Sequence, residues 1–347
     1  MVLTVQARRC LASVLALLAV SIVSAQTPVS GVDNASSQKP AAQRSTSDWL
    51  LRMHEASQRK AYIGTLVVSS GGSLASSRIW HVCDGVQQME RIESLSGPQR
   101  STFRHNADVI TFSPQSKIAV METRESLGMF PGLLKSPGTG IDAFYTAHVV
   151  GAERVAGFDA DVVQIEPKDT LRFSYQVWSE KKSGLMMRLQ TLDEHKRVLE
   201  QVAFSELQLD APVSMSKLTQ LMHKTQDYRV ERPEIIKTSA DAEGWALKKP
   251  VAGFVPMSCH RRPAQEAQSA SGAALQWIFS DGLATVSLFI EDFAVGRHGP
   301  EGLRVMGATH TLSRRVPDKA GGWWLTVVGE VPAQTLQAFA QALERRK

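Results

Sequence analysis

Cysteine is nearly absent from the 347-residue chain: Cys10, Cys83 and Cys259 are the only three. No two of them form a Cys-x-x-Cys pair, which removes the commonest redox motif and the thiolate zinc sites. Histidine offers no substitute, because the nine present are scattered without ligand spacing. His54-Glu55 opens a zinc-protease pattern, yet Gln58 stands where the second helical histidine is required. No G-x-S-x-G elbow occurs. Gly138-Thr139-Gly140-Ile141-Asp142-Ala143 resembles a phosphate turn but lies in a proline-flanked loop, with no strand before it. Cys259-His260 are neighbours in sequence, which does not aim a base at a nucleophile. The expectation is therefore no catalytic residue, no metal and no cofactor, and a binding protein rather than an enzyme. Excess charge of one sign is missing too, with 39 Lys and Arg against 34 Asp and Glu. That balance argues against nucleic acid as a partner.

Long apolar runs are confined to the N-terminus. Arg8 and Arg9 precede a small-and-apolar run from Cys10 to Val23, and Val23-Ser24-Ala25 supplies a small-residue exit. This is the pattern of a secretory signal over residues 1–25, with cleavage expected after Ala25. No later run approaches the roughly 18 to 20 apolar residues of a spanning helix. The expected product is exported and large enough for about two domains. Cys83 and Cys259 then meet oxidising conditions, leaving an inter-domain disulfide or two buried thiols as alternatives. The basic excess is C-terminal, with 17 Lys and Arg against 13 Asp and Glu in residues 213–347. It suits an acidic protein partner or an anionic lipid head group.

Residues 26–46 are rich in Ser, Ala, Gln and Pro and lack apolar periodicity, which predicts a disordered arm. Ser47 is the expected cap of a short helix carrying Trp49, Leu50, Met53 and Ala56 on one face. From Ala61 to about Leu209 the period becomes two. Ten runs, among them YIGTLVVS, SRIWHVC, ADVITFS, AERVAGF, ADVVQIEP and RVLEQVAFSEL, are separated by short turns. Links this short give an antiparallel meander, and so wide a sheet curls into a barrel or half-barrel. The chain is thus mainly β with α: a large antiparallel β-barrel or half-barrel over 47–212, a linker over 213–250, and a smaller α+β domain over 251–347. The second domain is read from the hairpin AALQWIF-SDG-LATVSLFIEDF and a final helix opened by Pro332.

Residues 172–193, RFSYQVWSEKKSGLMMRLQTLD, alternate with apolar residues on both faces. The alternation sets Phe173, Tyr175 and Val177 against Trp178, and Leu185, Met187 and Leu189 against Met186 and Leu192. Two-sided apolarity requires cover on both sides, and one side is expected to line an oily cavity in which flexible methionines adapt to acyl chains. The Gly- and Pro-punctuated stretch from Met121 to Phe144 is read as a lid, or else as a helix completing the core. The expected cavity residues are Trp80, Phe103, Phe112, Met121, Phe130, Leu133, Leu134, Trp178 and Met186.

The segment DVVQIEPKDTLRFSYQVWSEKKSGLMMRLQTLDEHKRVLEQVAFSEL, with YIGTLVV before it and FSDGLATVSLFIE and GWWLTVVGEVP after it, closely resembles the RseB/MucB family of periplasmic regulators of the envelope stress response. The likeness runs through the mature chain with the motifs in family order. It implies a lipoprotein-carrier-like N-terminal half-barrel, an unclosed antiparallel β-barrel, and a smaller C-terminal domain. It also implies binding to the periplasmic domain of a membrane-spanning anti-sigma factor, RseA- or MucA-like, shielding that factor from the site-1 protease. Lipid, lipopolysaccharide or lipoprotein acyl chains are the implied releasing signals, and homo-oligomerisation stays open. Because the family's partner surface involves the C-terminal domain, Arg261, Arg262, Arg314 and Arg315 are the expected contacts. A periplasmic lipid or lipoprotein carrier, and an exported hydrolase with an unrecognised site, are the alternatives.

Overall fold

The structure, a computed structural model, describes residues 40–123, 140–262, 274–296, 298–318 and 322–346. The expected signal segment, most of the arm, and most of the Met121–Phe144 insertion lie outside the described residues.

The first helix, α1 (Thr46–Arg59), starts two residues before the position expected from Ser47. Ser45 is the cap: its hydroxyl accepts from the Asp48 amide, while the Asp48 carboxylate accepts from the Ser45 amide at 3.0 Å. The Ser47 hydroxyl reaches Asp142 of the short helix α2 (Ile141–Phe144), 2.6 Å away, and lies 2.8 Å from the Ser45 hydroxyl.

Twelve strands follow in one sheet: β1 (Tyr62–Ser70), β2 (Ser73–Cys83), β3 (Gln88–Ser94), β4 (Ser101–His105), β5 (Asp108–Ser113), β6 (Ile118–Thr123), β7 (Tyr145–Val155), β8 (Phe158–Pro167), β9 (Ser174–Glu180), β10 (Met186–Leu192), β11 (Val198–Leu209) and β12 (Arg229–Glu231). Their spatial order is β12-β6-β5-β4-β3-β2-β1-β11-β10-β9-β8-β7, antiparallel except for the short β12–β6 pair. The two ends of this order are not paired to each other, so the barrel is unclosed. AERVAGF is not a strand of its own. It straddles the β7–β8 turn, where Ala156 and Gly157 both take positive φ (46° and 91°), the backbone a tight hairpin demands.

Residues 213–250, expected as a linker, are built into the fold, with β12 in the first sheet, a strand in the second, and one in a two-stranded sheet formed with the chain's last strand. Ser214 caps α3 (Met215–Met222), whose Leu218 and Met222 are buried on the first sheet. β13 (Ile236–Lys237) and β14 (Trp245–Leu247) belong to the C-terminal part, with Trp245 and Val251 in its core. That part contains β15 (Val255–Arg262), β16 (Ala274–Ser280), β17 (Thr285–Asp292), β18 (Gly302–Met306), β19 (Thr309–Val316) and β20 (Trp323–Gly329), then α4 (Ala333–Ala342) and β21 (Leu343–Arg345). The sheet order is β13-β15-β16-β17-β20-β19-β18, and α4 buries Leu336, Phe339 and Ala340 against it. Phe254, Phe279 and Phe339 meet there with centroids 4.9 to 5.6 Å apart.

The cores interlock at a seam. Leu171, from the β8–β9 loop, packs on the C-terminal core, while Leu283, from the β16–β17 turn, is buried in the cluster under α1. The Thr335 hydroxyl donates to the Leu171 carbonyl at 2.6 Å. Cys83 and Cys259 are both free thiols, the second buried and its pKa pushed up to about 11 by desolvation.

Candidate functional site

Antiparallel register decides which predicted cavity residues meet. Trp80, Phe103, Phe112 and Met121 lie on one face of β2–β6, in a cluster with Met89, Ile110, Leu218 and Met222. Phe103 and Phe112 meet edge to face at 5.8 Å, and Tyr228 closes on Phe112 at 4.9 Å. The short helix α3 is therefore the cover of this apolar floor. Arg91 lies over the Trp80 and Phe103 rings, 4.8 and 5.5 Å from their centroids, and pairs with Glu93 at 2.8 Å.

The other two described candidates stand apart from these four. Met186 is buried with Trp49, Leu50 and Met53 of α1 and with Tyr175, Val177 and Leu189. Trp178 is opposite Val162 and is covered by the Arg188 guanidinium at 4.1 Å, its indole N–H donating to Glu153 at 2.8 Å. The expected set of Leu185, Met187 and Leu189 does not hold, because register shifts between Met186 and Arg188 and makes Met187 an extra residue. Leu185 and Met187 pack with Trp178, whereas Leu189 joins Met186. Phe130, Leu133 and Leu134 lie outside the described residues.

The opposite face of the β1–β4 region carries polar residues that periodicity alone did not single out. Tyr62, His81, Glu90 and Arg104 stand directly opposite one another on successive strands. Tyr62 and His81 stack at 4.9 Å, and His81 Nδ1–H donates to the Lys60 carbonyl at 2.8 Å. Desolvation lowers the His81 pKa, against the bond to the Lys60 carbonyl, and lifts that of Glu90 to about 7, against the pull of the Arg104 charge. The readable signal was the alternation of His81, Glu90 and Arg104 with the apolar set, one residue out of phase with it.

The four expected partner contacts divide into two pairs. Arg261, Leu275, Ile290, Leu325 and Arg314 form one cross-strand line, and Arg262, Ala274, Glu291, Trp324 and Arg315 form the next. Adjacent residues of a strand point to opposite faces, so Arg261 and Arg314 share one face and Arg262 and Arg315 the other. Within each pair the four strand-to-strand steps separate the arginines by roughly 19 Å. Arg261 is held by an ion pair to Glu243, which raises the Arg261 pKa and lowers that of Glu243. Arg315 lies over the Phe293 ring at 4.3 Å. Among the described residues there is no group of three His, Cys, Asp or Glu side chains placed to hold a metal, and no helix is long and apolar enough to cross a membrane.

Two family models match, the MucB/RseB N-terminal domain over residues 45–222 and the MucB/RseB C-terminal domain over 239–344. The sigma factor AlgU regulatory protein MucB of Pseudomonas aeruginosa is 27% identical over 307 residues, covering 88% of this chain and 92% of that protein. The sigma-E factor regulatory protein RseB of Escherichia coli K12 is 24% identical over 300 residues, covering 85% and 89%. Among solved structures, the P. aeruginosa MucA/MucB complex superposes with a TM-score of 0.68 at 24% identity, covering 87% of this chain and 99% of the other. A structure of MucB gives 0.62 at 23% identity, covering 86% and 98%.

Proposed function

The chain belongs to the MucB/RseB family, and from that premise we propose that it is a periplasmic regulator of an envelope-stress sigma factor. It binds the periplasmic domain of a membrane-spanning anti-sigma factor and covers the site at which the first protease would cut. The sigma factor then stays sequestered. The observation that carries this reading is that both family domains are present, in order, across nearly all of residues 45–344. A carrier needs only the half-barrel. The complex of the relative MucB with MucA supports a protein ligand for the same two-domain architecture.

Release follows from linkage. An acyl-bearing lipid that favours a domain arrangement poor at holding the partner weakens partner binding by the same factor by which the partner weakens lipid binding. A coupling of about 1 to 3 kcal/mol changes affinity roughly five- to 150-fold. The apolar floor under α3 is the proposed lipid site, because it gathers four of the expected cavity residues beneath one helix of eight residues. Arg262 and Arg315 are the proposed partner contacts of the C-terminal domain, with Arg261 and Arg314 on the opposite face.

Calorimetric titration of the mature chain with the periplasmic segment of a MucA- or RseA-like anti-sigma factor tests the reading, together with protection of that segment from proteolysis. Saturable binding with protection is expected, and no binding overturns the proposal. Repeating the titration with an acylated ligand is expected to weaken binding. Equal affinities reject the coupling.

A further inference from the structure

The sequence presented Arg172 as the first residue of a strand and Asp281 as the middle of a Ser-Asp-Gly turn. Folding brings them together at the seam between the two sheets, and both side chains are wholly buried. Arg172 Nε donates to Asp281 Oδ2 at 2.6 Å, Nη1 to Asp169 Oδ2 at 2.5 Å and Nη2 to the Ala252 carbonyl at 2.7 Å. The guanidinium also lies 4.5 Å from the centroid of Phe144 and 4.9 Å from that of Phe254, one ring from each side of the seam. Asp281 is saturated. Oδ2 takes a second bond from the Tyr145 hydroxyl at 3.0 Å, and Oδ1 accepts from the amides of Leu283 and Ala284 at 2.9 and 2.7 Å. Residue 253 has to be glycine: its φ is +79°, and a Cβ there would strike the Arg172 guanidinium and come within 2.9 Å of Phe144.

The two charges come from different domains, Arg172 and Tyr145 from the half-barrel and Asp281 from the C-terminal sheet. A buried ion pair of this kind adds little to stability compared with apolar packing, because desolvation offsets its attraction. Leaving one charge dry and unpaired is strongly unfavourable. Sliding or tilting one domain by an ångström or two breaks several of these bonds at once, while the apolar contacts of Leu171 and Leu283 tolerate small shifts. The pair therefore selects one relative placement more than it glues the domains together.

We propose that Arg172 and Asp281 form a positioning latch that fixes the two domains in the arrangement to which the anti-sigma segment binds. Its partner half rests on the function proposed above. The latch half stands on the seam geometry alone.

The test compares full-length mature chain with Asp281→Asn, which keeps the shape and the backbone bonds but removes the charge, and with Tyr145→Phe, which deletes one bond to the same oxygen. Small-angle scattering reports domain placement, circular dichroism reports folding, and calorimetry reports binding of the anti-sigma periplasmic segment. Asp281→Asn is expected to broaden the interdomain distance distribution, leave the circular dichroism spectrum intact, and weaken binding roughly ten- to 100-fold. Tyr145→Phe shifts both readouts the same way by less, and it decides the matter should Asp281→Asn fail to fold. If wild type does not bind the segment yet the variants still change the scattering, the latch stands and the partner reading falls. Unchanged scattering in a folded variant overturns the latch, whatever the affinity. Changed scattering with unchanged affinity overturns its role in binding.

Discussion

Glu90→Gln exchanges one titratable side chain for a neutral one of the same shape, in the row Tyr62–His81–Glu90–Arg104 on β1–β4. In the folded chain the Glu90 carboxyl titrates near 7, whereas its ordinary value is 4.5. Between these pH values the folded chain retains a proton that the unfolded chain has released, so the Glu90 contribution to stability is full below 4.5 and is lost as pH rises through 7. A shift of this size corresponds to about 3 kcal/mol at most. Glutamine carries no such dependence. Glu90→Gln should equal wild type at pH 4.5 and become progressively more stable than wild type up to pH 8, with a gain of roughly 1 to 3 kcal/mol, or several degrees in Tm. His81 acts with the opposite sign, its contribution being lost as pH falls below its ordinary 6.5; because it stands directly opposite Glu90, the difference is read above pH 6.5, where His81 is largely neutral in the folded and the unfolded chain. Urea unfolding at half-unit pH steps, followed by tryptophan fluorescence, measures the curve. A difference that does not vary with pH, or a variant less stable than wild type at pH 8, refutes the reasoning.

Leu218→Ala empties part of the contact between α3 and the Phe103–Phe112 floor. It should cost about 2 to 5 kcal/mol in urea unfolding, where a residue in a linker would cost almost nothing. Gly184→Ala places a Cβ against the Arg52 guanidinium at a φ of +84°. It should lower Tm and expose the β9–β10 turn to limited proteolysis, because Arg52 also donates to the Glu180 carbonyl at 3.4 Å; an unchanged cleavage pattern counts against that anchoring. Ser45→Ala removes the α1 capping box and should cost about 1 kcal/mol, read by thermal unfolding, while Ser47→Ala removes the bonds of its hydroxyl to the Ser45 hydroxyl at 2.8 Å and to Asp142 at 2.6 Å but leaves the Asp48 amide capped, so it should cost less.

Much of this architecture was legible because local rules enforce it. Period-two alternation with short turns permits little besides an antiparallel meander, and α1 and α4 carried their apolar faces and end signals in the open. Strand β4 and the true extent of β7 escaped because STFRH is short and mostly polar, and because β7 is an edge strand that alternates only over Tyr145–Val149 and is exposed from Val150 to Arg154. The cavity residues were harder. Trp80, Phe112, Met121, Trp178 and Met186 were each read on an alternating run, yet alternation alone does not say which of them meet, and one bulge at Met187 redistributed Leu185, Met187 and Leu189, since an extra residue inverts every face that follows it.

The sequence by itself determined the two-domain β-rich plan, the poverty of catalytic chemistry in its motifs, and the family to which the chain belongs. Tertiary structure decided which of the aromatic residues share a floor, that residues 213–231 fold onto the first sheet, and that Arg172 and Asp281, more than a hundred positions apart, are partners. The reason is range. Periodicity, caps and turns are encoded within a few residues, whereas register, bulges and the pairing of buried charges are fixed only when distant strands compete for the same space and the same hydrogen bonds.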